Sequence, residues 1–340
     1  MQFPHPYRIL KIINKRFRSP SQWLALTSIQ GRQVSAITSP VVRGRKRRRD
    51  QLTLAEFLVF VVPLLIFVVI LYGTLIWTFY VSLANWSGIA ANYEFAGFKW
   101  YQSLFNNIRF WVDVQNNLKW LILGVIPTVF LAIFLAYLLE LAPFPAIESY
   151  IRTLILYPVA MSFIVTGTIW SWMYEPKRGV FNTILSALGV QSQLTYTTNP
   201  STATYWLILI FIWQYLGFAV IIVQSSFRTS ELQEMIEAAT VDGASKLRIL
   251  FSIIIPNIRS GLLVLVSLLL ISTLKVFDIV YIVTFGGPGI STDVLSLYMF
   301  IATFQQHLVS MGAALGVIIF LIAFIIVIPY TIYALRRWFE

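Results

Sequence analysis

Cysteine is absent from the chain, and histidine occurs only at His5 and His307. The lack of thiols excludes disulfides, thiolate metal sites, cysteine nucleophiles and iron–sulfur clusters, and two histidines so far apart argue against a histidine-based metal site. Charge is also scarce, because only 11% of the 340 residues are charged, whereas soluble domains carry about 25%. With 58% of its residues hydrophobic, the chain is not an ordinary soluble domain, and we predict a membrane protein.

A phosphate loop of the form Gly-x-x-x-x-Gly-Lys-Ser/Thr is also missing, so we expect no ATPase activity in this chain. Energy for active transport would have to come from elsewhere. A proton-coupled carrier needs an ionisable group deep in the membrane, and only Asp278, with Lys275 beside it, qualifies. On a continuous helix these two side chains can meet on one face and neutralise each other. We therefore expect a structural ion pair, with a role in transport as the alternative.

Six apolar stretches are long enough to cross a bilayer. Each must be helical, since only a helix satisfies its backbone within its own segment in hydrocarbon. The predicted fold is an all-α membrane protein with six spans, in one permease domain at 54–340. The predicted spans are 54–83, 118–139, 151–174, 205–223, 262–285 and 312–335.

The basic residues are distributed unevenly, and 12 of the 25 Lys and Arg lie in a leader at 1–53. Since cytoplasmic segments are enriched in Lys and Arg, we predict that both termini are cytoplasmic. The basic run at 45–49 stands directly before the first span, where orientation and attraction to anionic lipid explain it more simply than nucleic-acid binding. The rest of the leader is rich in Ser, Gln, Arg and Pro, which predicts a largely disordered segment.

The loop at 228–260, between the fourth and fifth spans, is the most informative segment. Its pattern predicts a helix, a break at Gly243, and a second short amphipathic helix that ends near Pro256. Gly243 gives the backbone the freedom for a sharp turn, and Ala238 and Ala239 allow another surface to approach closely. From the residues alone, this is a solvated helical loop that projects into the cytoplasm.

This loop resembles the signature of the membrane subunits of binding-protein-dependent ABC importers, in particular the carbohydrate type related to the maltose permease. That signature is Glu-Ala-Ala, three residues, Gly, nine residues and Ile-x-Leu-Pro. Here Glu237 begins the motif, Gly243 follows at the same spacing, and the motif ends at Pro256 with Ile255 in place of Leu. In the family this loop holds the coupling helix, which docks on the ATP-binding subunit. The implied coupling residues are Glu237, Ala238, Ala239, Asp242 and Gly243.

Two further stretches are similar to sugar permeases. The segment at 275–295 contains Phe277-Asp278 and then Gly286-Gly287-Pro288, and it resembles the end of the fifth core span of that family. The stretch at 157–170 is similar to permeases for glucose and glucosides. Together the resemblances run from about residue 54 to the C-terminus and imply a type I importer permease for a monosaccharide, disaccharide or glucoside.

The resemblance also implies where a sugar would bind, namely in the middle of the two spans that flank the coupling loop. Aligned on the segment at 275–295 and on Glu237, the implied positions are Leu269, Ser272, Thr273, Val276, Ile212, Tyr215, Leu216 and Ala219, with Gly217 as the mid-span glycine. Gln214, Tyr215 and the two hydroxyls suit a sugar chemically. The alternative is that Ser and Thr hydrogen-bond to neighbouring helices.

The implied mechanism is alternating access, with no cofactor on this chain and with ATP and Mg on a dimer of partner ATPase subunits. The other implied partners are a second homologous permease and a periplasmic or lipid-anchored sugar-binding protein, in a bacterial or archaeal inner membrane. Two alternatives remain from the sequence. One is a proton-coupled carrier that uses Asp278, and the other is a membrane scaffold without transport activity.

Overall fold

The computed structural model describes residues 54–141, 144–190, 194–227 and 229–336. The predicted leader at 1–53 lies outside the described residues. The chain divides into two compact units, Met1–Val68 and Val69–Glu340. All the contacts discussed below lie within the second unit.

Regular structure in the described ranges is helical, and the β pairing found there is an isolated bridge between Ala84 and Phe95. The helices, in chain order, are α1 Leu54–Ser82, α2 Lys99–Phe105, α3 Ile108–Glu140, α4 Pro145–Ala160, α5 Phe163–Met173, α6 Val180–Ala187, α7 Ala203–Phe227, α8 Ser230–Val241, α9 Lys246–Asn257, α10 Arg259–Leu274, α11 Asp278–Val283, α12 Leu295–Gln305 and α13 Val309–Arg336.

Four of these helices are long and apolar enough to cross a membrane, namely α1, α3, α7 and α13. They coincide with the first, second, fourth and sixth predicted spans. Two further segments pass the same test only as bent pairs: α4 and α5 meet at 102°, and α9 and α10 meet at 71°. The described part of the chain therefore holds four to six spans, as a multi-pass membrane protein requires.

The fifth predicted span, 262–285, is wrong as a continuous helix. The helix α10 ends at Leu274, and α11 begins only at Asp278. The carbonyls freed at this break find partners far away in sequence: the Asn117 amide donates to the Leu274 carbonyl at 3.4 Å, and the Ser296 hydroxyl donates to the Val276 carbonyl. A break at membrane depth is stable where buried polar groups satisfy it in this way.

The helix α7 forms the centre of the larger hydrophobic cluster and packs against α3, α4 and α10. Its Phe211 is buried and meets the buried Trp120 of α3 edge to face, with ring centroids 5.7 Å apart. A second cluster joins α2, the start of α3, α12 and α13 through Trp100, Phe110 and Leu315. The contacts of the larger cluster fix the two helices, α7 and α10, that flank the predicted coupling loop.

A buried polar cluster ties the start of α3 to the segment before α12. The Arg109 Nε donates to Asp293 Oδ2 at 2.6 Å, and its guanidinium lies 4.3 Å from the centroid of the Tyr298 ring. Asn116 donates to the Asp293 carbonyl at 2.9 Å. Burial raises the pKa of Asp293 above its ordinary value, and the Arg109 cation partly offsets that rise. The cluster thus anchors the end of the 284–294 loop to α3.

Candidate functional site

The predicted break in the 228–260 loop is present, and a defined turn produces it. Gly243 has a φ of 77°, a left-handed conformation that glycine adopts without steric cost. The Ala244 amide donates to the Ala239 carbonyl at 2.9 Å, and the Gly243 amide donates to the Thr240 carbonyl at 3.1 Å. This pair of bonds is the Schellman motif, which ends a helix and reverses the chain.

The second helix of the loop, α9, starts with its own cap. The Ser245 hydroxyl accepts from the Arg248 amide at 3.4 Å, as an N-cap serine does. The Tyr137 hydroxyl of α3 donates to the Lys246 carbonyl at 2.8 Å and holds the start of α9 against the bundle. The loop is therefore a hairpin of two helices whose second helix is hydrogen-bonded to the long helix α3.

The outer surface of this hairpin combines acidic and apolar side chains. Glu234, Glu237 and Asp242 are exposed, as are large apolar side chains at Val241 and Leu247, which are 88% and 66% exposed. Inward-facing residues such as Leu232 and Ile254 are buried. Exposed apolar groups clustered at a projecting turn are typical of a protein contact surface.

A small cleft lies where α10 breaks, and it brings together residues from several helices. Its volume is ≈ 60 Å³, and its lining consists of Phe163, Phe211, Tyr215, Ser272, Lys275, Val276, Phe277, Asp278 and Ile279. The Tyr215 ring lies between two aromatic neighbours, 4.3 Å from Phe211 and 5.7 Å from Phe163 between centroids. The cleft therefore combines aromatic faces with hydroxyl and charged groups, the chemistry that a polyhydroxyl ligand needs.

Three of the implied sugar-binding residues, Tyr215, Ser272 and Val276, line this cleft. Gln214 faces the other way, since its amide nitrogen donates to the carbonyls of Pro158 at 2.7 Å and Met161 at 2.9 Å. Its amide oxygen accepts from a third helix, at Thr166. In this structure Gln214 holds the bend between α4 and α5.

The remaining implied sugar-binding residues lie between packed helices. Leu269, Thr273 and Ala219 have no exposed surface, and the Thr273 hydroxyl donates to the Leu269 carbonyl at 3.0 Å. Gly217 lies against α4, so that a Cβ at this position would be 2.2 Å from the Ile155 carbonyl oxygen. Ile212 and Leu216 are partly buried and pack against the main core cluster.

The expected ion pair between Lys275 and Asp278 does not form. Within the described ranges the ion pairs are Arg109–Asp293 and Glu148–Arg152. The geometric reason is the break, because Lys275 follows the end of α10 whereas Asp278 begins α11. Both side chains line the cleft instead.

Sequence reasoning missed the aromatic walls of the cleft. Phe211 could have been found, because it lies one helical turn before Tyr215 on α7. Phe163 and Phe277 gave no such signal, since they come from α5 and from the break. In the described part of the chain, no three His, Asp or Glu side chains group as metal ligands would.

Beside the cleft lies a larger groove of ≈ 840 Å³, whose walls come mainly from α1, α12 and α13. Lys275 and Phe277 line both the cleft and the groove. The groove is rich in aromatic side chains, among them Trp77, Phe300 and Phe320. The cleft and the groove thus adjoin along one shared edge.

A scan against models of known protein families finds no match. Individual proteins do match. The chain is 35% identical over 279 residues to a probable ABC transporter permease of Pyrococcus horikoshii, covering 82% of this chain and 94% of that protein. It is 30% identical to the glucose import system permease GlcT of Saccharolobus solfataricus, covering 83% and 97%, and 30% identical to the sulfoquinovosyl glycerol permease SmoG of Agrobacterium fabrum, covering 82% and 89%.

Among solved structures, a chain of a bacterial ABC transporter for the import of the acidic polysaccharide alginate is similar, with a TM-score of 0.72 and 22% identity. The match covers 83% of this chain and 96% of that one. A second alginate transporter structure, in complex with a periplasmic protein that carries an alginate pentasaccharide, has a TM-score of 0.71. At this level of identity the similarity establishes a shared fold.

The long apolar helices and the named relatives together define a multi-pass membrane subunit of a transporter. The chain belongs to the family of ABC transporter permeases. Members of this family are transport components whose ATPase activity lies in partner subunits, which agrees with the missing phosphate loop. Family membership favours ATP-driven transport over the alternative of a proton-coupled carrier at Asp278.

Proposed function

We propose that this protein is a membrane-spanning subunit of an ATP-driven, binding-protein-dependent sugar importer. The observation that carries the proposal is the helical hairpin at 228–260, with its sharp turn at Gly243 and its exposed apolar tip, in a chain whose relatives include named sugar permeases. Counting each bent pair as one span gives six spans, with both termini on the cytoplasmic side. The membrane is the inner membrane of a bacterium or an archaeon.

The cargo is a sugar, as a monosaccharide, a disaccharide or a glucoside. Relatives named for glucose and for sulfoquinovosyl glycerol support this class. The cleft supports it chemically, because Tyr215 and Ser272 offer hydroxyls beside aromatic faces. The buried positions Leu269, Thr273 and Ala219 then shape the wall behind the cleft and do not contact the sugar in this conformation.

The hairpin couples the closure of the ATPase subunits to the movement of the spans. Two partner ATPase subunits bind ATP and Mg, and this chain needs no cofactor of its own. The coupling residues are Glu237, Ala238, Ala239, Asp242 and Gly243, in the end of α8 and the turn that follows it. When the ATPase dimer closes on ATP, its movement of this turn rocks the spans from one access state to the other. Such a shift requires ATP to bind the closed state more tightly than the open state.

Two further partners complete the importer. A second, homologous permease forms the other half of the pathway, and a periplasmic or lipid-anchored binding protein delivers the sugar at the outer face. The alginate transporter structure that contains a periplasmic protein supports the latter by analogy of fold. The basic leader contacts anionic lipid and not nucleic acid.

Affinity purification of the tagged chain from mildly solubilised membranes, followed by mass spectrometry, tests this assembly. We expect a second permease and an ATPase with a phosphate loop to co-purify with the chain. Recovery of the chain alone, or only as a homo-oligomer, would contradict the proposal. A tagged unrelated six-span membrane protein serves as the control for non-specific recovery.

A further inference from the structure

Lys275 and Asp278 are two charged side chains of opposite sign at the break between α10 and α11. Lys275 is exposed and Asp278 is partly buried. Neither is among the ion pairs of the described residues. Their side chains point into the cleft beside Tyr215 and Ser272.

Their depth makes this arrangement costly. The helix α10 has 16 residues, which corresponds to a rise of about 24 Å, against a hydrocarbon core of about 30 Å. With Arg259 placed at the cytoplasmic boundary, Lys275 and Asp278 follow the end of α10 and lie about 6 Å short of the opposite boundary of that core. Charged side chains at such depth face a polar cavity and mark a substrate or ion pathway.

The surroundings fit a sugar ring. Lys275 and Phe277 form the shared edge between the cleft of ≈ 60 Å³ and the groove of ≈ 840 Å³, and ligand sites span roughly 300–1,000 Å³. The Phe277 ring stacks on Tyr281 at 5.1 Å and lies 5.2 Å from Phe300, between centroids. Three aromatic rings thus cluster next to the two charged groups.

We propose that Lys275 and Asp278 are sugar-binding residues at the junction of the cleft and the groove. This inference rests on the proposed function and names the groups that select the cargo. The Asp278 carboxylate accepts hydrogen bonds from sugar hydroxyls, and the Lys275 ammonium donates to a sugar oxygen. Because the two charges cancel, the site offers an anionic sugar no net attraction to offset the loss of its hydration, and the site therefore favours a neutral sugar.

The test uses the transporter complex, purified with its partner subunits but without the binding protein, so that binding reports on the membrane site. The first step measures ATP-driven uptake of D-glucose, maltose and D-xylose by the full system, and the sugar that is taken up becomes the probe. If none of the three is taken up, the proposed function fails. The second step titrates that sugar against the complex by saturation-transfer NMR, which detects weak binding.

We expect Asp278→Asn and Lys275→Gln each to weaken binding by about 10-fold or more, as the loss of a hydrogen bond to a charged group does. The double variant should weaken binding by the product of the two factors. If the two residues formed a structural ion pair instead, the double variant would recover the sugar binding that each single variant had lost. Glu94→Gln and Lys177→Gln, two exposed residues of the loops, are the matched controls and should bind as the parent does.

Charge selectivity gives an independent readout. D-glucuronate should bind to the parent complex more weakly than the probe sugar, and Asp278→Asn should narrow that difference in affinity. Each variant must co-purify with the partner subunits in the parent amount, and Asp278→Glu should retain part of the affinity. Parent-like binding by both single variants, or tighter binding of glucuronate than of the probe sugar, would overturn the inference while leaving the importer intact.

Discussion

The Arg109 side chain is a cation that interacts with two buried acidic groups. It is paired with Asp293, whose side chain is 1% exposed, and its charge also acts on Asp113, which has no exposed surface. Within the described residues, neither carboxylate oxygen of Asp113 has a hydrogen-bond partner. Removing one partner of a buried pair leaves an uncompensated charge and costs about 3 kcal/mol or more.

We therefore predict that Arg109→Gln lowers the melting temperature of the detergent-solubilised protein, and that the loss depends on pH. Burial raises the pKa of Asp293 above its unfolded value, so the folded state holds that proton more tightly and loses stability as pH rises through the raised pKa. Without Arg109 the rise in pKa is larger. The loss of melting temperature in Arg109→Gln, relative to the parent, should be greater at pH 8 than at pH 5. An equal loss at both pH values would contradict this account.

Gln214 separates a structural role from a role in binding. Its three polar contacts, to Pro158, Met161 and Thr166, all lie within the bundle. Gln214→Leu would leave buried acceptors unpaired, at roughly 1–3 kcal/mol each. We predict a lower melting temperature with unchanged sugar affinity in the folded fraction. A loss of sugar affinity without a loss of stability would show instead that Gln214 binds the sugar.

Close packing of α7 against α4 leaves no room for a side chain at Gly217. A Cβ on Gly217 would lie 2.2 Å from the Ile155 carbonyl oxygen, whereas a Cβ on Gly73, also helical, would meet nothing within 4 Å. We predict that Gly217→Ala destabilises the protein and that Gly73→Ala does not, because alanine is the better helix former where there is room. Thermal unfolding of the two variants compares them directly, and equal stability would show that α4 can move.

The hairpin α8–α9 allows a sharper comparison, because the turn at Gly243 has a counterpart with the same hydrogen bonds at Gly189. Gly243 and Gly189 both have left-handed φ angles, 77° and 82°, and a Cβ at either would meet nothing within 4 Å. An aspartate costs about 1–2 kcal/mol of backbone strain at each position. The two substitutions therefore destabilise the folded state equally, and they differ only in whether the glycine lies in the coupling hairpin.

We predict that Gly243→Asp uncouples ATP hydrolysis from sugar uptake, while Gly189→Asp leaves coupling intact. Charge reversal at the exposed Glu237 should act as Gly243→Asp does. The measurement is the ratio of sugar taken up to ATP hydrolysed, in membranes that contain equal amounts of each variant. Normal coupling in both Gly243→Asp and the Glu237 variant would exclude the hairpin as the coupling element.

These elements also show which features the sequence could predict. The turn at Gly243 and the four long spans depend on local signals, namely a glycine after a helical pattern and an unbroken apolar run. The break after Leu274 depends on Asn117 and Ser296, which lie on other helices. The position of Gln214 likewise depends on carbonyls more than fifty residues away. Single-sequence patterns carry no information about such distant partners.

For the whole molecule, the central claim is that this chain moves sugar with energy from ATP hydrolysed by its partners. The most direct test is uptake of radiolabelled sugar into proteoliposomes that contain the purified transporter with its binding protein. ATP and a proton gradient are supplied separately. We predict uptake with ATP at any proton gradient, and none with the gradient alone. Uptake that follows the proton gradient, needs no ATP and is abolished by Asp278→Asn would contradict the account.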